Sequence, residues 1–102
     1  MADHYQVVVT DIAFSDIQQA LFFLARVSPE AAKRLGATVK NAISSLRDFP
    51  FRFEEIDMPG KTGFAFRKAV IEGRYLLVYA VKGTDVIVER LIDARQGLAS
   101  LL

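Results

Sequence analysis

The chain has 102 residues, 52% hydrophobic, with 13 Lys and Arg against 12 Asp and Glu, one histidine and no cysteine. One domain spanning residues 1–102 is expected at this length, and a chain of about 100 residues can bury roughly two thirds of its unfolded surface without staples. The lack of cysteine rules out a disulfide framework and thiol chemistry, and suits a reducing cytosol.

A net charge of +1 and a pI of about 8.1 fall short of the basic balance expected for general nucleic-acid binding. No stretch reaches the roughly 20 apolar residues of a membrane span. The opening MADHYQVVV has neither a basic n-region nor a cleavage site, so no secretory leader is expected. A mean hydropathy of +0.25 is high for so small a domain. It fits either a dense core under a sheet that is apolar on both faces, or an exposed apolar groove that a partner covers.

In chain order, Tyr5 to Thr10 is Val-rich and reads as a strand. Thr10, Asp11 and Ser15 offer N-caps for a helix over about 12–26. Its stripe of Ile12, Ile17, Ala20, Leu21, Phe23 and Leu24 is widened by Phe14 and Phe22, and the three phenylalanines read as core. Ser28-Pro29-Glu30 starts a second helix with a capping hydroxyl, a proline suited to the first position and an acid at the positive end of the dipole. That helix runs to about Arg47 on an apolar face of Ala32, Leu35, Val39, Ile43 and Leu46. Gly36, costly inside a helix, is expected to mark close approach to the first helix.

Asp48-Phe49-Pro50 ends the second helix. Residues 51–63, with Glu54, Glu55, Asp57, Pro59, Gly60 and Gly63, read as a loop. Pro59 to Gly63 lacks the spacing of a phosphate loop. From Phe64 to Arg95, three β-branched and aromatic runs alternate with Glu72-Gly73-Arg74 and Lys82-Gly83-Thr84-Asp85. They predict antiparallel strands over about 66–72, 74–82 and 85–93, joined by hairpins. The short apolar tail after Arg95 reads either as a final helical turn packed on the sheet or as a frayed end that docks into a partner.

The order β-α-α-β-β-β predicts an α+β fold, with a helical hairpin on one face of a mainly antiparallel sheet. No further element is left to cover the other face, which is where function is expected. His4 is the only histidine and sits near the N-terminus, so neither a histidine triad nor a His/Cys metal site is expected. The chemistry-bearing residues that remain are Arg67, Lys68, Arg74, Arg90 and Arg95. Regular alternation sends Arg67 and Lys68 to opposite faces and separates Arg90 and Ile92 from Glu89, Leu91, Asp93 and Arg95. The plain reading of each cation is an ion pair with Glu72, Glu89 or Asp93.

The Ser28-Pro29-Glu30-Ala31-Ala32 and Leu46-Arg47-Asp48-Phe49-Pro50 helix ends, with the strand runs Tyr75-Leu76-Leu77-Val78-Tyr79 and Val86 to Arg95, resemble the RelE/ParE superfamily of type II toxin–antitoxin (plasmid stabilisation) toxins. The likeness covers essentially the whole chain. It implies a cytoplasmic, cofactor-free protein that arrests growth and is neutralised by a cognate antitoxin.

RelE-like members are metal-independent, ribosome-dependent mRNA endonucleases that use sheet-borne arginines and lysines. ParE-like members instead inhibit DNA gyrase. The RNase-type Tyr-Arg-x-x-Tyr strand carries Leu76 in place of arginine, and neither Tyr nor His follows Arg95. The end Asp93-Ala94-Arg95-Gln96 with Leu98 and Leu101 looks ParE-like, and that branch is the expectation. The resemblance then implies target contact through Arg67, Lys68, Arg90 and Arg95, and antitoxin contact through Phe22, Phe23, Leu76, Val78, Leu98 and Leu101. The alternatives are an endonuclease on ribosome-bound mRNA working through Arg67, Lys68, Arg74 and Arg95, and an inactive binding module that keeps the fold. A free chain this apolar is expected to self-associate.

Overall fold

A computed structural model describes residues 4–58 and 64–95. The elements are β1 (Gln6–Val9), α1 (Asp11–Val27), α2 (Pro29–Ser45), β2 (Glu54–Ile56), β3 (Phe66–Ile71), β4 (Tyr75–Lys82) and β5 (Asp85–Asp93). The sheet order is β1-β5-β4-β3-β2, with β1 parallel to β5 and the other pairs antiparallel. The helical hairpin lies on one face, α1 against β5 and α2 against β3. This is the expected α+β architecture with one strand added.

The caps follow local chemistry. Thr10 accepts from the Ala13 N–H at 3.1 Å, and Ser28, in extended backbone, accepts from the Ala31 N–H at 3.2 Å with Pro29 opening α2. A Cβ on Gly36 would lie 3.6 Å from Leu21 Cδ2, so the helices do meet there. The β3–β4 turn places Glu72 and Gly73 at φ 53° and 68°, the signs of a type I′ turn, and the Arg74 N–H closes it on Ile71 O at 3.0 Å. The Glu72 carboxylate then accepts from Thr38 of α2 at 2.8 Å, so it anchors the turn instead of pairing with an arginine.

The expected loop over 51–63 contains β2, whose register is Glu54↔Lys68, Glu55↔Arg67 and Ile56↔Phe66. Two consecutive glutamates carry no strand signal of their own. Their pairing comes from the cations opposite them, because opposite charges across a strand pair stabilise it. Residues 59–63 lie outside the described residues.

The helix-side core gathers Ala13, Leu35, Val39, Ile71, Leu77, Tyr79, Val86, Val88 and Leu91. The opposite face is not open as expected. Phe66, Leu76, Val78, Ala80 and Ile92 are buried there with Met58, which follows β2 and packs among them. The three phenylalanines of α1 are not core: Phe14, Phe22 and Phe23 are 55%, 70% and 57% exposed. The inward line is Ala13, Ile17, Ala20, Leu21 and Leu24. At about 100° per residue, Phe22 falls opposite that line, and Phe14 and Phe23 flank it.

Candidate functional site

β1 stops at Val9 while β5 continues to Asp93, so among the described residues the far half of β5 has an edge without a neighbouring strand on the β1 side. Side chains and the start of α1 fill it. The Thr10 N–H donates to Val88 O at 3.1 Å, its hydroxyl to Glu89 O at 3.2 Å, and the Leu91 N–H donates to the Asp16 carboxylate at 3.0 Å. Asp16 also takes Arg90 in a fork, Nε at 2.7 Å and Nη2 at 3.1 Å. These bonds, the largest cause, raise the pKa of Arg90.

The register explains how Arg90 reaches Asp16. Val78 faces Arg90 but Tyr79 faces Val88, so Glu89 is an extra residue in β5. The bulge brings Val86, Val88 and Leu91 together in the helix-side core.

A second cluster lies beside the first. Arg95 grips Asp93 through Nε at 3.1 Å, Nη2 at 2.7 Å and its backbone N–H at 2.9 Å. These bonds, with the Arg74 charge as a smaller cause, hold the Asp93 carboxyl well below the usual carboxylate range. Arg74 Nε stands 3.6 Å from Asp93, beyond hydrogen-bond reach, with the guanidinium 5.4 Å from the Tyr75 ring centre. Arg74 Nε is buried and has no hydrogen-bond partner among the described residues. Arg74, Arg90 and Arg95 line one open cleft of about 560 Å³ between α1 and the ends of β4 and β5, together with Asp16, Gln19, Phe23 and Asp93.

Arg67 and Lys68 belong to a different place. Arg67 donates to Phe53 O at 2.6 Å, Phe51 O at 3.1 Å and Glu55 at 3.3 Å, with its guanidinium 5.3 Å from the Phe51 ring centre. With an 18% exposed side chain, it fastens the 51–55 segment to β3. Lys68 pairs with Glu54 at 3.9 Å on the β2 edge. The four expected target contacts therefore split: Arg90 and Arg95 line the cleft, and Arg67 and Lys68 brace the opposite edge of the sheet.

Among the expected antitoxin contacts, Phe22 and Phe23 stand outward. Leu76 and Val78 are 8% and 0% exposed on the buried second face and offer no docking surface. Leu98 and Leu101 lie outside the described residues. Asp16 is the residue that sequence reasoning missed. Its one signal is a carboxylate three residues after Ala13 and four before Ala20, beside the inward line of α1.

Among the described residues no three His, Cys, Asp or Glu gather to hold a metal, and no helix is long and apolar enough to cross a membrane. No curated protein matches the chain by sequence. The solved structure titled "Chromosomal ParDE TA system from P. aeruginosa" aligns with a TM-score of 0.68 at 16% identity, over 88% of this chain and 96% of that one, a likeness of fold. The family model for the ParE toxin of the type II toxin–antitoxin system parDE matches residues 7–98, from β1 through the strands that build the arginine cleft. The fold, the strand order and this near-complete match agree: the chain belongs to the ParE toxin family of type II toxin–antitoxin systems.

Proposed function

We propose that the protein arrests growth in the cytoplasm by binding and inhibiting DNA gyrase, and that a cognate antitoxin neutralises it. Family membership supports the toxin role. The observation that carries the gyrase branch is Leu76. Where an RNA-cutting relative would place arginine, this chain buries an apolar side chain opposite Ile92. A charge there would lose its hydration with no partner at hand.

Two of the remaining cations weigh against cleavage. Arg90 and Arg95 are each forked onto a carboxylate. A guanidinium so occupied is poorly placed to neutralise a developing phosphate charge. Exposed Ile12, Phe22, Phe23 and Val27 give α1 the apolar surface for the antitoxin.

The deciding experiment is a supercoiling assay with purified gyrase. Micromolar protein is expected to block supercoiling, and added antitoxin to restore it. Unaffected gyrase at that concentration refutes the reading. Codon-linked cuts in primer extension on translated mRNA would assign the endonuclease activity instead, and unchanged growth on expression without the antitoxin would assign a binding module.

A further inference from the structure

Among the described residues, the arginine cleft carries a donor that nothing uses. Arg74 Nε is the buried side-chain nitrogen without a hydrogen-bond partner, although a carboxylate stands 3.6 Å away. That carboxylate, Asp93, is already committed to Arg95 by both of its oxygens. The Arg74 side chain is still 41% exposed, so its remaining donors are reachable from the cleft. Leaving a buried donor unmade is costly, so this guanidinium is held short of its full set of hydrogen bonds. The cleft's charged lining is Arg74, Arg90 and Arg95 against Asp16 and Asp93. Three guanidinium charges over two carboxylates leave one positive charge, which a monoanion neutralises and a phosphate dianion overshoots.

The surroundings extend the seat beyond a single ion. Gln19 borders the arginine cleft and also a second shallow hollow on the outer side of α1, lined by Ser15, Gln18, Leu21 and Phe22. The two hollows thus adjoin at Gln19, one cationic around Arg74 and the other apolar around Phe22, with Phe22 70% and Phe23 57% exposed. Their cationic and apolar linings suit a polypeptide with an acidic side chain close to a large apolar one.

We propose that the arginine cleft seats one aspartate or glutamate side chain of a partner polypeptide on Arg74, with an apolar side chain of the same segment lying in the adjoining hollow at Leu21 and Phe22. The carboxylate accepts from the Arg74 guanidinium, the planar donor group that matches a carboxylate fork. Naming the polypeptide as the antitoxin rests on the function proposed above; the seat itself does not.

The test is nuclear magnetic resonance of the 15N-labelled full chain, following the Arg74 Nε–Hε resonance. The probes are the blocked peptide acetyl-Leu-Asp-Leu-amide, its Asn counterpart, and inorganic phosphate. The Asp peptide is expected to move the resonance downfield, and the Asn peptide to leave it in place. Arg74→Gln is expected to weaken binding of the Asp peptide about tenfold, the loss of one charge-assisted hydrogen bond at a partly exposed site. Arg74→Lys keeps the charge but not the fork and should fall between. The backbone amide spectrum reports whether each variant keeps the fold.

Equal movement by the Asn peptide overturns the proposal, as does undiminished binding by a folded Arg74→Gln. Movement by phosphate but not by the peptide assigns the cleft to a free anion and overturns it too. A shift that grows with protein concentration alone assigns the seat to a second copy of this chain, with the same consequence. None of these readouts involves gyrase or growth, so the seat can fail while the toxin reading stands, and the reverse.

Discussion

The joint between Asp16 and Arg90 ties α1 to β5, and its strength can be measured. Asp16 accepts two bonds from Arg90 and one from the Leu91 N–H. Replacing Asp16 with Asn keeps one acceptor oxygen, which can still serve Leu91, but removes the charge and turns an NH2 group toward the guanidinium. Hydrogen bonds to charged groups contribute about 1.5–3 kcal/mol, and exposed ion pairs about 0–1 kcal/mol. The side chains of Arg90 and Asp16 are 33% and 15% exposed, so the joint sits between these cases.

Asp16→Asn is expected to cost about 2 kcal/mol, a fall in Tm of about 10 °C for a domain of this size. A double-mutant cycle with Arg90→Gln, read by urea unfolding with circular dichroism, should give a coupling energy of about 1–2 kcal/mol with an unchanged m-value. Coupling below about 0.5 kcal/mol would refute the reasoning, because the pair would then behave as an ordinary surface contact.

The Tyr79 hydroxyl is buried and donates to Pro50 O at 2.6 Å. Tyr79→Phe leaves that carbonyl unpaired and should cost about 1–2 kcal/mol in a thermal melt; an unchanged Tm would show that the bond contributes nothing net. Gly36→Ala should gain up to about 1 kcal/mol, since the new Cβ meets Leu21 at an ordinary 3.6 Å, and a destabilised variant would mean the helices cannot accept even one methyl. Asp93 has a folded pKa below its ordinary 3.8, so its stabilising contribution is complete above that value and is lost as pH falls through the depressed one. Asp93→Asn should therefore be less stable than the parent at neutral pH, with the gap closing below pH 3.8 in urea midpoints; a gap that persists in acid would locate its origin elsewhere.

The parts of the fold that were legible are those whose signals are local. Ser28-Pro29-Glu30 carries its own cap and dipole, and the strands from Phe66 to Asp93 carry β-branched runs closed by Gly73 and Gly83. β2 was not legible because its pairing depends on Arg67 and Lys68, more than ten positions along the chain. The phenylalanines of α1 misled for a different reason. Large apolar side chains are usually buried, but α2 and β5 cover one side of the helix only, and Phe22 lies on the other.

At the site, residue types could be read from the sequence and geometry could not. Five cations were visible, but the carboxylate that fixes Arg90 is 74 positions away, on a helix that reads as apolar. The larger obstacle is the single extra residue at Glu89. Unbroken alternation would put Arg90 on the same face as Val86 and Val88, inside the helix-side core, and send Leu91 to the other face. Such a sheet would bury a guanidinium beneath the helices and withdraw an apolar side chain from them. The bulge removes that conflict. Leu91 joins the core, Arg90 reaches Asp16 at the sheet edge, and the last residues of β5 bring Asp93 and Arg95 to Arg74. The cleft thus follows from an irregularity that a period of two cannot signal, in a strand whose composition reads as ordinary.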